Sequence, residues 1–295
     1  MRFLSRIMAL AMISGRLFAE AAYLPENHSV NGGLTIIPID INQQPQVYYH
    51  DKKIPVLPSP NANQWLLIVG IPLNTTRAVE NLTMTHPVRS TIPFQVSQKF
   101  YATQQLKITD PRKVDPYEED RARITKEAQE MAALFAGFTE ANPFSQGFKA
   151  PVHGPVSSLF GLKRVYNKSP QAPHSGLDIA APENAPITAS AKGKVVAVKD
   201  YFFTGNTVIV DHGMGVYSLY AHLKAIAVTE GQWLNQGDAI GTVGKTGRAT
   251  GPHLHWSMIV NQTLVDPLLF VPYRLITAVP AAPKTAATGR NRLNA

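Results

Sequence analysis

The chain has 295 residues, 44% apolar and 16% charged, which allows two modest domains with a core each and excludes a disordered chain or a membrane bundle. Its formal charge of +8 suits an anionic partner, but no nucleic-acid motif or aromatic-interleaved basic run accompanies it, so nucleic acid is not expected. With no cysteine, a disulfide framework and a thiolate metal site are both excluded, and any metal must be held by histidines and carboxylates.

At the start, Arg2 and Arg6 precede an apolar run over residues 7–14, and the small-residue sequence Ala19-Glu20-Ala21 follows. This is the pattern of a secretory signal peptide over residues 1–21, too short to remain as a membrane span. Its removal takes three Arg and one Glu, leaving 25 basic against 19 acidic residues, or +6. No other stretch approaches eighteen apolar residues, so the mature chain is expected to be soluble or peripherally attached, outside the cytoplasm.

Residues 22–112 carry short runs rich in β-branched and aromatic side chains at 34–39, 46–49, 53–57, 65–71, 81–85, 91–98 and 104–108, separated by turn signals. A small antiparallel β-sandwich is predicted, with Tyr49-His50-Asp51-Lys52 as a hairpin turn. His28, His50 and His86 are scattered there without ligand spacing. A helical linker is predicted over 113–146, where Ile124, Ala128, Met131, Ala132 and Phe135 fall at helical spacing within 117–138, with acidic residues in the first turn.

From 147 to 272 the composition turns to glycine-punctuated β segments at 194–199, 207–211, 217–222, 239–243 and 253–260, which predicts an antiparallel β domain with long loops. Residues 273–295 hold Arg274, Lys284, Arg290 and Arg292 and no acidic residue, and are expected to form a basic disordered tail able to touch wall or membrane.

Two clusters in the second domain carry chemistry. In Pro252-His253-Leu254-His255-Trp256 an extended backbone turns both imidazoles to one face and Leu254 to the other. The pair could ligate one metal together, or one ring could bind while its neighbour handles protons. In His174-Ser175-Gly176-Leu177-Asp178 the His and the carboxylate meet one ion only if the segment bends, and Gly176 lies where the bend is needed. Two imidazoles and a carboxylate with an open fourth position suit catalytic zinc. The glycines at 241, 244, 247 and 251 read as turns, not as a phosphate loop.

The blocks His174-Ser-Gly-Leu-Asp178-Ile-Ala-Ala-Pro182, Tyr220-Ala-His222-Leu and Thr246-Gly-Arg-Ala-Thr-Gly-Pro-His253-Leu-His255 resemble, in order and spacing, the lysostaphin/LytM-type zinc metallopeptidases. The resemblance runs from about residue 150 to 270. It implies that His174, Asp178 and His255 bind Zn2+, that His222 and His253 are the catalytic histidines, and that peptide bonds are cleaved by zinc-activated water. It leaves His212 and His153 structural. Some members place a polarising tyrosine before the first ligand; Tyr166 is nearest here, but 167–173 departs from those proteins and no role is assigned to it.

The segment from Trp65 to Pro72 and onward to Arg112 resembles the immunoglobulin-like domain found ahead of this peptidase in some Gram-negative bacteria. The implied whole is a mainly β protein: an immunoglobulin-like β-sandwich, a connecting helix and an antiparallel β peptidase domain. The implied setting is the periplasm, and the implied substrate is the peptide cross-link of peptidoglycan, between D-alanine and meso-diaminopimelate. The alternative is a non-catalytic LytM-type regulator that activates cell-wall amidases; such domains lack part of the constellation, whereas all five positions are filled here. A further expectation, from domain order, is that the N-terminal portion covers the groove.

Overall fold

The computed structural model describes residues 23–278. The expected signal peptide and the tail from residue 279 lie outside the described residues.

The N-terminal strands form two antiparallel sheets. Leu34–Asp40 and Val56–Pro58 flank Gln64–Gly70 in one, and Lys52–Lys53, Gln46–Tyr49, Val79–His86 and Ser90–Gln95 follow in order in the other. Val47, Tyr49, Leu67, Val69, Leu82 and Phe94 fill the space between them, so this is the expected sandwich. His50 and Asp51 both take positive φ, at 46° and 62°, the conformation of a two-residue hairpin turn whose twist matches its strands. The single strand expected at 53–57 is instead two strands in different sheets, because Pro55 has no N–H to continue a ladder.

One strand assigned to this domain belongs elsewhere. Thr103–Leu106 pairs in parallel with Lys163–Tyr166, which pairs in turn with Ser169–Pro170. The sandwich therefore ends before residue 103, not at 112. Strand-forming residues announce a strand but not its partner.

The C-terminal domain is built on an antiparallel sheet in which Trp233–Leu234, Gly193–Tyr201, Gly205–Gly213, Val216–Ala221, His253–Val260, Leu177–Ala180 and Val156–Ser158 lie side by side. Alternation along His253–Val260 sends Leu254, Trp256, Met258 and Val260 into the main core. The opposite face is shared. Tyr217, Leu219, Ala221 and Ile259 form an apolar patch against Met131, Leu134 and Phe135 of the connecting helix, and beyond its end the same face carries His255.

That helix spans Glu118–Phe135, with Glu118, Glu119 and Asp120 in its first turn, where the helix dipole favours negative charge. Its inward face differs from the expected one: Ala128 and Ala132 are exposed, and Glu127 and Leu134 turn inward. Glu127 accepts a bond from the Phe202 N–H at 2.8 Å, so polar contacts with the sheet edge set the helix's rotation as much as its apolar stripe does.

The two domains are continuous at their junction. Leu34, Leu57 and Ile68 belong to the same buried cluster as Trp256 and Val265, and the Asn261 side chain accepts from the Gly70 N–H at 2.7 Å and donates back to its carbonyl at 3.2 Å. The first residues of the expected tail are ordered instead: Tyr273–Thr277 is a short helix anchored by fully buried Ile276.

Candidate metal centre and its trench

Sheet register assembles the first three side chains. Asp178 sits directly opposite His255 in the antiparallel pair, and Ala180 opposite His253, so the carboxylate and both imidazoles emerge on one face. His174 precedes the strand, pinned by its own N–H to the Leu162 carbonyl at 2.9 Å. Gly176 is needed for close approach and not for a left-handed bend: a Cβ there would stand 2.5 Å from the Trp256 carbonyl oxygen. His222 follows the end of Val216–Ala221 in a left-handed conformation, φ 63°, and its ring centroid comes to 4.7 Å from His253 and 5.9 Å from His255.

All five expected site residues therefore meet in one place, and His174, Asp178, His222 and His255 are each more than nine-tenths buried. His28, His50, His86 and His153 are exposed and stand apart. His212 is buried away from the site, its Nδ1–H donated to the Lys192 carbonyl at 2.8 Å and its Nε2 accepting from Ser218 at 2.7 Å.

The proton positions follow from the partners. A carbonyl can only accept, so Nδ1 carries the hydrogen in His174 (to Leu159, 2.7 Å), His222 (to Thr246, 2.8 Å) and His253 (to Gly251, 2.8 Å). Each neutral ring then presents a bare Nε2. Burial, with His253 and His255 nearby, pushes the His222 pKa down to about 3, and burial lowers His255. Burial acting alone would raise the Asp178 carboxyl, but the His174 and His255 rings beside it hold it well below the usual range.

A metal fits this donor set. His174 Nε2, His255 Nδ1 and Asp178 Oδ1 lie 2.8 to 3.1 Å from one another, three acceptor atoms crowded together in a way that only a shared cation makes favourable. Tetrahedral bonds of about 2.0 to 2.1 Å space neighbouring donors at about 3.3 Å, so the triangle need open by only a few tenths of an ångström. The other Asp178 oxygen is taken by Arg164, whose Nη2 donates at 3.0 Å with both side chains buried. Arg164 carries no sequence signal for this role. Ser257, whose Oγ lies 3.0 Å from His255 Nε2, does, because it continues the alternation of His253 and His255.

A cavity of about 110 Å³ opens over these groups, lined also by Leu106, Ile108, Tyr166, Phe203 and Arg248. Segment 103–114 lies along it. Asn167 closes two bonds with Ile108 and donates its N–H to the Leu106 carbonyl, while Lys113 reaches the Phe202 carbonyl at 2.7 Å and lies over the Phe202 ring.

A β-sheet that presents two imidazoles and a carboxylate to one point, with two free imidazoles beside them in a trench, defines a metal-centred hydrolase type of site. Residues 172–267 match the model of peptidase family M23, and residues 27–99 match that of the peptidase family M23 N-terminal domain. A crystal structure from Pseudomonas aeruginosa, provisionally described as a peptidase M23, is 36% identical with a TM-score of 0.70, covering 83% of this chain and 96% of that one. The chain belongs to peptidase family M23.

Among curated relatives, the peptidoglycan DD-endopeptidase ShyA of Vibrio cholerae is 41% identical over 107 residues, 36% of this chain and 25% of that protein. The DD-carboxypeptidase/endopeptidase Mpg of Neisseria meningitidis is 40% identical over 117 residues, 40% of this chain and 27% of that protein. The matched region thus spans about a quarter of the length of these relatives.

Proposed function

We propose that this protein is a zinc-dependent endopeptidase of bacterial peptidoglycan that hydrolyses D-alanyl–meso-diaminopimelate cross-links in the periplasm. One observation carries the chemistry: three donor atoms within 3.1 Å of one another beside two imidazoles that present bare Nε2 atoms to the same trench. The substrate class rests on the curated relatives, and the compartment on the export pattern of residues 1–21. No helix among the described residues is long and apolar enough to cross a membrane.

In this reading His174 Nε2, Asp178 Oδ1 and His255 Nδ1 hold the ion. Bound zinc supplies a Lewis acid that polarises a carbonyl and lowers the pKa of water. The protein's own part is positional and protonic. Leu159 and Ser257 fix the ring orientation of the two histidine ligands, and Arg164 occupies the second carboxylate oxygen so that one oxygen alone faces the donors. His253, the less buried of the free pair, takes the proton of the attacking water at Nε2 as general base. His222, its Nδ1–H committed to the Thr246 carbonyl and its ring held neutral by burial, faces the same space with an accepting Nε2 and orients the water that His253 deprotonates.

We read segment 103–114 as the cover that domain order leads one to expect. It reaches the trench as an added parallel strand, and its Leu106 and Ile108 occupy cavity wall that a substrate peptide would use. In this reading the segment restrains activity while it stays in place.

Digestion of purified sacculi with mass analysis of the released muropeptides tests the reading, comparing wild type, His253→Ala and a chelated sample. Release of cross-link cleavage products by the wild type alone is expected. Identical fragments from all three samples would remove the enzyme.

A further inference from the structure

Two guanidinium groups line the trench, and only one of them is neutralised. Arg164 is paired with Asp178. Arg248 forms no salt bridge with any of the described residues, although it is half-buried beside the metal centre. Its guanidinium lies 4.9 Å from the Tyr166 ring centroid and 4.3 Å from that of Phe203. Aromatic faces hold a guanidinium in place while leaving the N–H groups on its edge free to donate.

The backbone is built to aim it. Gly247 takes φ 70° against the 203–205 turn, where a Cβ would come within 2.4 Å of the Gly205 nitrogen, and the Arg248 N–H is fixed to the Phe203 carbonyl at 2.7 Å. Burial pushes the guanidinium below its ordinary pKa, as happens when a cation loses water without gaining an anion. The acceptor it does meet is the Lys113 backbone carbonyl of the covering segment, at 3.3 Å from Nη1. A half-buried cation without a counter-ion, its remaining N–H groups facing the cavity, is placed to meet an anion there.

We propose that Arg248 is a specificity residue that receives a free carboxylate of the peptide substrate, borne by a residue next to the bond presented to His174, Asp178 and His255. The inference rests on the peptidase reading and deepens it. The Lys113 carbonyl marks where the acceptor sits, but a backbone carbonyl is neutral and offers one oxygen. A carboxylate offers two, in the plane and spacing of the guanidinium fork, and supplies the missing charge. The favoured substrate is therefore a branched or terminal peptide with an acidic group at the cleavage point, and not the interior of a neutral chain. Substrate and cover compete for the same N–H groups, so a carboxylate ligand also displaces the segment around Lys113.

The test uses two synthetic peptides identical except that a carboxylate flanking the scissile bond is a carboxamide in the second. Binding is measured by calorimetry to the full chain carrying His253→Ala, so that cleavage does not intervene, with Arg248 intact and with R248Q or R248K. The carboxylate peptide should bind about tenfold to hundredfold more tightly than the amide, the margin of a charge-assisted hydrogen bond. R248Q should erase that margin and leave the amide peptide unaffected, and R248K should restore part of it. Equal binding of the two peptides to the Arg248 protein overturns the proposal, whether or not R248Q folds. A preference that survives R248Q, equal losses for both peptides, or binding of neither overturns it as well. A retained preference in a wild-type protein that leaves sacculi intact would instead remove the peptidase reading alone.

Discussion

Ser257 Oγ lies 3.0 Å from Nε2 of His255, on the opposite side of the ring from Asp178, whose Oδ1 is 2.8 Å from Nδ1. One imidazole is thus gripped from both ends, and the outer grip decides which nitrogen stays available to a metal. Loss of such an outer partner weakens metal affinity or activity by about ten- to a hundredfold. Ser257→Ala should shift a zinc competition titration against a chelator by that amount; an unchanged titration would show the hydroxyl to be incidental.

The five central residues should divide into two groups. Asp178→Asn and His174→Ala are expected to purify with little zinc. His222→Ala and His253→Ala should retain about one equivalent while losing about 10² to 10⁴ in kcat on sacculi, the range of a lost acid or base. Metal content by atomic absorption beside activity separates the groups, and metal loss from His253→Ala would reverse the assignment.

Arg164 and Asp178 form an ion pair with side-chain exposures of 7% and 10%. Removing one member of a buried pair leaves an uncompensated charge and costs about 3 to 5 kcal/mol. In the metal-free protein, Arg164→Met should lower the free energy of urea unfolding by about that much, and Arg164→Lys by less. A loss below about 1 kcal/mol would mean that water reaches the carboxylate.

His212 supplies a pH signature far from the metal. Burial pushes its pKa down to about 4 from 6.5, so between those values the unfolded chain binds a proton that the folded chain refuses. Its contribution is full above pH 6.5, falls as pH drops towards 4 and is then constant, a loss of about 3 kcal/mol. Unfolding free energies across that window should show a slope of about one proton, which His212→Gln removes; the same slope in both proteins would contradict the assignment.

Lys113 anchors segment 103–114 through its bond to the Phe202 carbonyl and its seat on the same ring. Lys113→Ala removes about 1 to 2 kcal/mol of anchoring and should raise kcat/KM on sacculi by about five- to thirtyfold. Unchanged kinetics would mean that the segment is not what limits access.

The readability of these features from sequence follows their physical range. His253 and His255 were legible because strand alternation is local, and the same rule explains Leu254 in the core. His222 was legible only through family resemblance. It lies just beyond its strand at φ 63°, a left turn that no spacing announces. Gly176 reads from sequence as the site of a bend, whereas its constraint is the backbone of a strand some eighty residues away. Thr103–Leu106 reads as a strand, but its pairing with Lys163–Tyr166 is not legible, since a polar edge strand names no partner. Arg164, Arg248 and the cover are long-range meetings of the same kind.

The junction between the domains makes each half part of the other's interior. Leu34, Leu57 and Ile68 complete a hydrophobic interior that Trp256 and Val265 share, and Asn261 serves as a splice between Gly70 and the turn after His253–Val260. Separating the two halves would expose apolar surface on each piece, so a cut between them should cost both parts stability.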